Sequence, residues 1–174
     1  MSDEVQVALP DAESTRAYGR AVAALLRPGD LVVLTGPLGA GKTTLVQGIG
    51  TGLGVRGQVA SPTFIIARVH PSLAHGPALV HVDAYRLGSL DELEALDLDE
   101  SLGDSVTVVE WGEGLVEVLS EDRLEVVLDR GQAATPAQVG DPGTGDGSFD
   151  DVGARTATVR GIGPRWAGVE LPRA

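Results

Sequence analysis

No cysteine stands anywhere among the 174 residues, which excludes disulfides and thiolate metal sites and suits a reducing cytoplasm. Aromatic residues are almost as scarce, with two each of Trp, Tyr and Phe. The core must therefore be built of Val, Leu, Ile and Ala, and little remains for stacking on single-stranded bases. No apolar run approaches the roughly 18 residues that span a bilayer. The start, Met1-Ser2-Asp3-Glu4, lacks the basic head and apolar stretch of a signal peptide. Basic side chains are short too: 13 against 25 acidic ones, a formal net charge of −12. Such a chain repels phosphate backbones, and its arginines are scattered singly, so neither strong direct nucleic-acid binding nor a membrane partner is expected. The expectation is a soluble cytoplasmic protein, its acidity compatible with docking on a basic partner. Its length suits one domain over 1–174, and no internal repeat interrupts it.

What is present begins with Gly36-Pro37-Leu38-Gly39-Ala40-Gly41-Lys42-Thr43, a full match to the phosphate-binding pattern G-x-x-x-x-G-K-[ST]. Each fixed position has a phosphate to serve. Glycines let consecutive backbone N–H groups turn inward, Lys42 brings positive charge to the terminal phosphates, and Thr43 offers a hydroxyl to Mg²⁺. The flanks agree. Leu31-Val32-Val33-Leu34 reads as a buried strand, and Leu45, Val46, Ile49 and Leu53 recur at helical spacing. Strand, loop and helix together imply a nucleoside triphosphate site.

Elsewhere, residues 11–27 read as a helix, with Asp11 as its cap, Glu13 in its first turn, Tyr18, Val22 and Leu25 on one face, and Pro28-Gly29 as its stop. Residues 64–69 and 78–82 suggest paired strands across a Pro/Gly/His loop. Ser89-Leu90-Asp91-Glu92 fits a capping box opening a short helix, and residues 106–109 form another buried-strand run. Residues 123–128 and 155–160 suit a C-terminal antiparallel hairpin. Between them, residues 130–153 are rich in Gly, Asp, Pro and Ser and bury too little apolar surface to offset their ordering entropy, so a mobile loop is expected. Alternating strands and helices predict an α/β layered fold with a largely parallel central sheet.

Ligands of such sheets sit beyond the carboxyl ends of the strands. Two acids stand there: Asp83 after Leu79-Val80-His81-Val82, and Glu110 after Val106–Val109. One can complete an Mg²⁺ site with Thr43, and the other can orient or deprotonate an attacking water. The sequence does not decide between them, although Glu110 is favoured for the metal and Asp83 for the water. His81 shares a strand face with Asp83 and is expected to be a hydrogen-bonded structural residue rather than a zinc ligand. Trp111 either packs by the site or plugs the sheet. Arg86 is expected to pair with an acid such as Glu92.

Taken in order, Gly36 to Thr44, Ser61-Pro62-Thr63-Phe64, His81-Val82-Asp83-Ala84-Tyr85-Arg86-Leu87 and Val109-Glu110-Trp111 resemble the TsaE family over roughly residues 5–130. This family comprises small bacterial ATPases of the pathway that makes threonylcarbamoyladenosine in tRNA. The resemblance implies a P-loop NTPase-like fold, Mg²⁺-dependent hydrolysis of ATP to ADP that is weak in isolation, and work alongside the TsaD and TsaB proteins. Those partners modify adenosine beside the anticodon, so tRNA is met indirectly, through the complex. Carried over residue by residue, Gly39, Ala40, Gly41, Lys42, Thr43 and Thr44 hold the phosphates, and Thr15 falls where the family contacts nucleotide. Thr43 and Glu110 match its magnesium positions, Asp83 its catalytically important acid, and residues 61–64 a switch-like segment near the γ-phosphate; Lys42, Asp83 and Glu110 would carry catalysis. Pro37 replaces the acid many members carry, and the stretch after Arg130 is longer than the usual turn, which leaves the match of Arg155 to a nucleotide-contacting residue of the closing strands open.

Two other classes fit the P-loop. A small-molecule kinase would need an arginine-bearing lid, and no such arginine cluster stands out. A nucleotide-gated binding module would use ATP to order residues 61–64 and expose or hide a docking face, with hydrolysis incidental.

Overall fold

The structure, a computed structural model, describes residues 4–37, 41–56, 67–83, 103–110, 120–130 and 155–173. Among the described residues, seven strands and two α-helices follow in the order β1 (Glu4–Leu9), α1 (Ala12–Ala23), β2 (Leu31–Thr35), α2 (Lys42–Leu53), β3 (Ala67–His70), β4 (Ala78–Asp83), β5 (Ser105–Glu110), β6 (Arg123–Arg130) and β7 (Arg155–Ile162). They form one sheet in the order β1-β7-β6-β2-β5-β4-β3. The middle is parallel, β6 with β2, β2 with β5 and β5 with β4, while both margins are antiparallel. Every residue of β5 is buried, as expected of a parallel strand covered on both faces. The expected strand pair before Asp83 and the C-terminal hairpin are both present, as β3–β4 and β6–β7.

β1 had no counterpart in the sequence reading. Its Glu-Val-Gln-Val-Ala-Leu alternates exposed and buried residues, the period-2 signature of a one-faced strand. It pairs with β7, the last strand of the chain. Helix α1 begins as expected, with the Asp11 carboxylate accepting from the Ser14 N–H at 2.7 Å. It ends at Ala23 rather than at residue 27. The chain tightens there into successive three-residue steps, Leu25 N–H to the Val22 carbonyl and Leu26 N–H to that of Ala23. The following Arg27 N–H is held by the Asp30 carboxylate at 2.7 Å. Pro28 keeps the helix from resuming at Arg27, because it disfavours helical backbone in the residue before it.

The two helices lie side by side and parallel. Arg16 faces Gly48, and both Arg20 and Ala23 face Gly52. A Cβ on Gly19 would come within 2.5 Å of the Leu45 carbonyl oxygen, and one on Gly48 would land on the Arg16 carbonyl. Glycines thus set the separation of the helices, whose N-termini finish at the same end of the molecule. At the opposite edge of the sheet Arg165 forks onto buried Asp30, Nε to Oδ1 at 3.0 Å and Nη2 to Oδ2 at 2.9 Å, and its guanidinium lies 4.4 Å from the Trp166 ring centre. That clamp ties the turn before β2 to the chain end.

The expected capping-box helix at Ser89 and most of the loop at 130–153 lie outside the described residues. Among the described residues no helix is long and apolar enough to cross a membrane.

Candidate functional site

Topology decides which residues can meet. β2, β4 and β5 run parallel, so Thr35, Asp83 and Glu110 finish at one edge of the sheet. β6 runs with them and β7 against it, so β7 starts at that same edge, where Arg155 pairs with Leu9 at the end of β1. Helix α1 therefore also begins there.

Gly36 and Pro37 after β2 and Gly41 before α2, the described ends of the P-loop motif, stand at the centre of this edge. Gly41 takes φ +98° at the N-terminus of α2, in the left-handed region that favours glycine, and no side chain caps the helix there. Uncapped first-turn N–H groups and the positive end of the helix dipole make a place for an anion. Lys42 is buried, at 6% exposure, and its ammonium donates to the carbonyls of Gly36 at 2.7 Å and Pro37 at 2.9 Å. Burial pulls its pKa below the usual lysine value, while the Glu110 and Asp83 carboxylates push it back up. All three predicted catalytic groups therefore share one electrostatic neighbourhood. Thr43 and Thr44 follow in the first turn of α2, both half-buried. Gly39 and Ala40 lie outside the described residues, as do residues 61–64, Arg86 and Trp111.

Asp83 and Glu110 are cross-strand partners in register. Glu110 is almost wholly buried at 4% exposure, whereas Asp83 is half-buried. His81, fully buried, places Nε2 2.6 Å from Oε2 of Glu110. The expectation of a hydrogen-bonded histidine is met, but its partner is the candidate metal acid. Thr15 sits in the first turn of α1, buried, with its hydroxyl donating to the Asp11 carbonyl at 3.1 Å. The parallel packing of α1 on α2 puts it at the P-loop end.

One neighbour, Arg155, was named in the sequence reading but given no place there. A Cβ on Gly41 would stand 3.4 Å from Cδ of Arg155 and 3.6 Å from its Nε and Nη1. A second cation therefore lies against the P-loop. No local pattern brings it to the P-loop: 113 residues, Lys42 to Ala154, separate it from Gly41, and only the closing hairpin brings them together.

The donors at this edge, a hydroxyl and two carboxylates, are all oxygen, which suits a hard cation such as Mg²⁺. No group of three or more His, Cys, Asp or Glu able to hold a metal exists among the described residues. A metal here would thus depend on phosphate oxygens and water as well as on protein, the usual habit of nucleotide-bound Mg²⁺.

This sheet, parallel at its centre, with β2 leading through the P-loop motif into α2, is a P-loop NTPase-like fold. It matches the crystal structure of Bacillus subtilis YdiB with a TM-score of 0.66 and 30% sequence identity, over 96% of this chain and 91% of that one. The family model described as threonylcarbamoyl adenosine biosynthesis protein TsaE matches residues 9–137, and the chain belongs to the TsaE family. It is similar to the tRNA threonylcarbamoyladenosine biosynthesis protein TsaE of Streptomyces coelicolor, 61% identical over 90% of this chain and 96% of the relative. The protein of that name from Mycobacterium tuberculosis is 51% identical over 70% and 77% respectively. That from Bacillus subtilis is 42% identical over 68% and 73%.

Proposed function

We propose that the chain is a Mg²⁺-dependent ATPase of tRNA threonylcarbamoyladenosine biosynthesis, working in support of TsaD and TsaB. The observation that carries this reading is the meeting of Lys42, Asp83 and Glu110 at the strand ends beside an uncapped helix N-terminus. Membership of the TsaE family supplies the pathway.

In this reading the first-turn N–H groups of α2, with Gly39, Ala40 and Gly41, cradle the phosphates. Lys42 exchanges its hydrogen bonds to the Gly36 and Pro37 carbonyls for phosphate oxygens. Thr43 and Glu110 would hold Mg²⁺, which would neutralise charge on the phosphates when bound. Asp83, the more exposed acid, accepts a hydrogen bond from the attacking water. As the water oxygen bonds to the γ-phosphorus and the bond to ADP breaks, the water's proton passes to Asp83 and on to solvent. Thr15 and Thr44 line the nucleotide side of the cradle. The protein mainly contributes position and electrostatics. Slow hydrolysis in isolation follows if a water-orienting or charge-stabilising group arrives with a partner, a contribution of about 10³–10⁵ in rate in comparable systems.

The test is phosphate release from ATP and Mg²⁺ by the protein alone, then with TsaD and TsaB added. A low rate that rises strongly with the pair is expected. A rate indifferent to the pair would remove the partner-gated part of the proposal, and no Mg²⁺-dependent hydrolysis in either condition would remove the ATPase itself.

A further inference from the structure

His81 is one of the largest side chains with no exposed surface, and it stands two residues before Asp83 on β4. Residues two apart on a strand share a face, so one short segment presents an acid to the site and an imidazole behind it. Register does the rest: Asp83 lies opposite Glu110 and His81 opposite Val108. The imidazole thus sits one pleat deeper than the Glu110 carboxylate and reaches up to it. The contact, 2.6 Å from Nε2 to Oε2, is a short hydrogen bond. The carboxylate accepts, so Nε2 is the nitrogen that carries the hydrogen. Nδ1 has no hydrogen-bond partner among the described residues. Among the described residues the ring therefore makes a single polar contact, and that contact is with the acid.

A glutamate has three rotatable side-chain bonds, and a strand-end position alone would not fix where its oxygens point. With Oε2 tied to His81, the other oxygen, Oε1, is left for a further partner, its direction set by a ring with no exposed surface. We propose that His81 is the positioning residue of this site: it fixes the rotamer of Glu110 so that one carboxylate oxygen is presented to the metal of the metal–nucleotide complex. The inference rests on the reading of Glu110 as a metal acid. Carboxylates that bind metals are commonly held by such a partner, and losing the partner typically lowers metal affinity by about 10–100-fold.

The test compares His81→Gln with His81→Asn in the full-length protein. Both amides are polar and smaller than imidazole, but only the longer glutamine carries an N–H to the place of Nε2. The readout is Mn²⁺ affinity in the presence of a non-hydrolysable ATP analogue, followed by electron paramagnetic resonance, beside the affinity of the same analogue in EDTA. Expected for His81→Asn is a loss of about tenfold or more in Mn²⁺ affinity, with analogue affinity in EDTA unchanged and most of the loss recovered in His81→Gln. Equal Mn²⁺ affinities in both variants and the parent, equal losses in both variants, or a parallel loss of analogue affinity in EDTA would each overturn the positioning role. Glu110→Gln separates the two levels. If it leaves Mn²⁺ affinity intact, the metal reading of Glu110 fails and takes the inference with it; if it weakens Mn²⁺ while both His81 variants do not, only the inference fails.

Discussion

The ammonium of Lys42 donates to the carbonyl oxygen of Gly36 at 2.7 Å, bending the lysine back onto its own loop. Two carbonyls and two nearby acids make that burial tolerable, so the charge is stored where a triphosphate would need it. Lys42→Ala should reduce ATP hydrolysis by at least about 10²–10³-fold, the usual effect of deleting one charge-stabilising group. Stability should change little, because the relief of a desolvated cation offsets the lost hydrogen bonds. Phosphate-release assays with circular dichroism melts check both. Substantial hydrolysis in a folded Lys42→Ala protein would remove the site assignment.

Asp83 and Glu110 should separate in their response to metal. Glu110→Ala is expected to raise the Mg²⁺ concentration for half-maximal hydrolysis by about tenfold or more. Asp83→Ala should leave that concentration nearly unchanged while lowering the maximal rate on the order of 10²-fold, as for a group that handles a water's proton. Glu110→Ala carries a second signature. It strips the buried His81 N–H of its acceptor, at a cost of about 1–3 kcal/mol, so its melting temperature should fall by several degrees. Superimposable Mg²⁺ titrations for the two variants would erase the division of roles.

How far the sequence foretold this site depends on how far apart its parts lie in the chain. The P-loop could be read directly, because strand 31–35, the glycines and helix 42–53 are consecutive and each obeys its own periodicity. Asp83 and Glu110 could be nominated because each closes a run of apolar residues, and parallel sheets gather such ends. What stayed hidden depends on register. That His81 would reach Glu110, 29 positions away, requires β4 to lie directly beside β5 with Asp83 opposite Glu110. Arg155 reaches Gly41 only through the β6–β7 turn-back, and Arg165 finds Asp30 across 135 positions. β1 did leave a local mark, the buried alternation of Val5, Val7 and Leu9, but six residues whose partner strand lies at the far end of the chain make a weak signal alone.

Glycine at position 48 should be irreplaceable for a reason unrelated to chemistry. Alanine is the better helix former by about 1 kcal/mol, yet its methyl at this position would collide with the Arg16 backbone. Backbone cannot step aside as a side chain can, so α1 and α2 would have to part, and overpacking of this kind costs about 1–3 kcal/mol or more. The collision should win, with Gly48→Ala melting several degrees lower. Gly54 supplies the contrast. Nothing lies within 4 Å of its added Cβ, but its φ of +68° is left-handed, so Gly54→Ala should cost only the backbone term of about 1 kcal/mol. Equal melting temperatures for Gly48→Ala and the parent would show that the helices are not held at glycine distance.

Tyr18 should make the fold sensitive to alkali. Its ring is buried, its hydroxyl donates to the Pro172 carbonyl at 3.0 Å, and burial pushes its pKa from 10.0 up to about 12. The folded state therefore holds a proton that the unfolded chain releases earlier. Where the folded protein binds more protons, stability falls as pH rises. This contribution is complete below pH 10 and should be lost between roughly pH 10 and 12, about 2–3 kcal/mol for a shift of that size. Lys42 works in the opposite sense, since its lowered pKa makes stability rise with pH as the ammonium deprotonates. Net alkaline behaviour therefore mixes the two, and Tyr18→Phe isolates the first. The variant should be less stable than the parent by about 1 kcal/mol at pH 9, for want of its hydrogen bond, and the difference should shrink or reverse by pH 12. Urea unfolding midpoints at the two pH values give the comparison. A constant difference would mean that Tyr18 ionises as freely in the folded protein as in the unfolded chain.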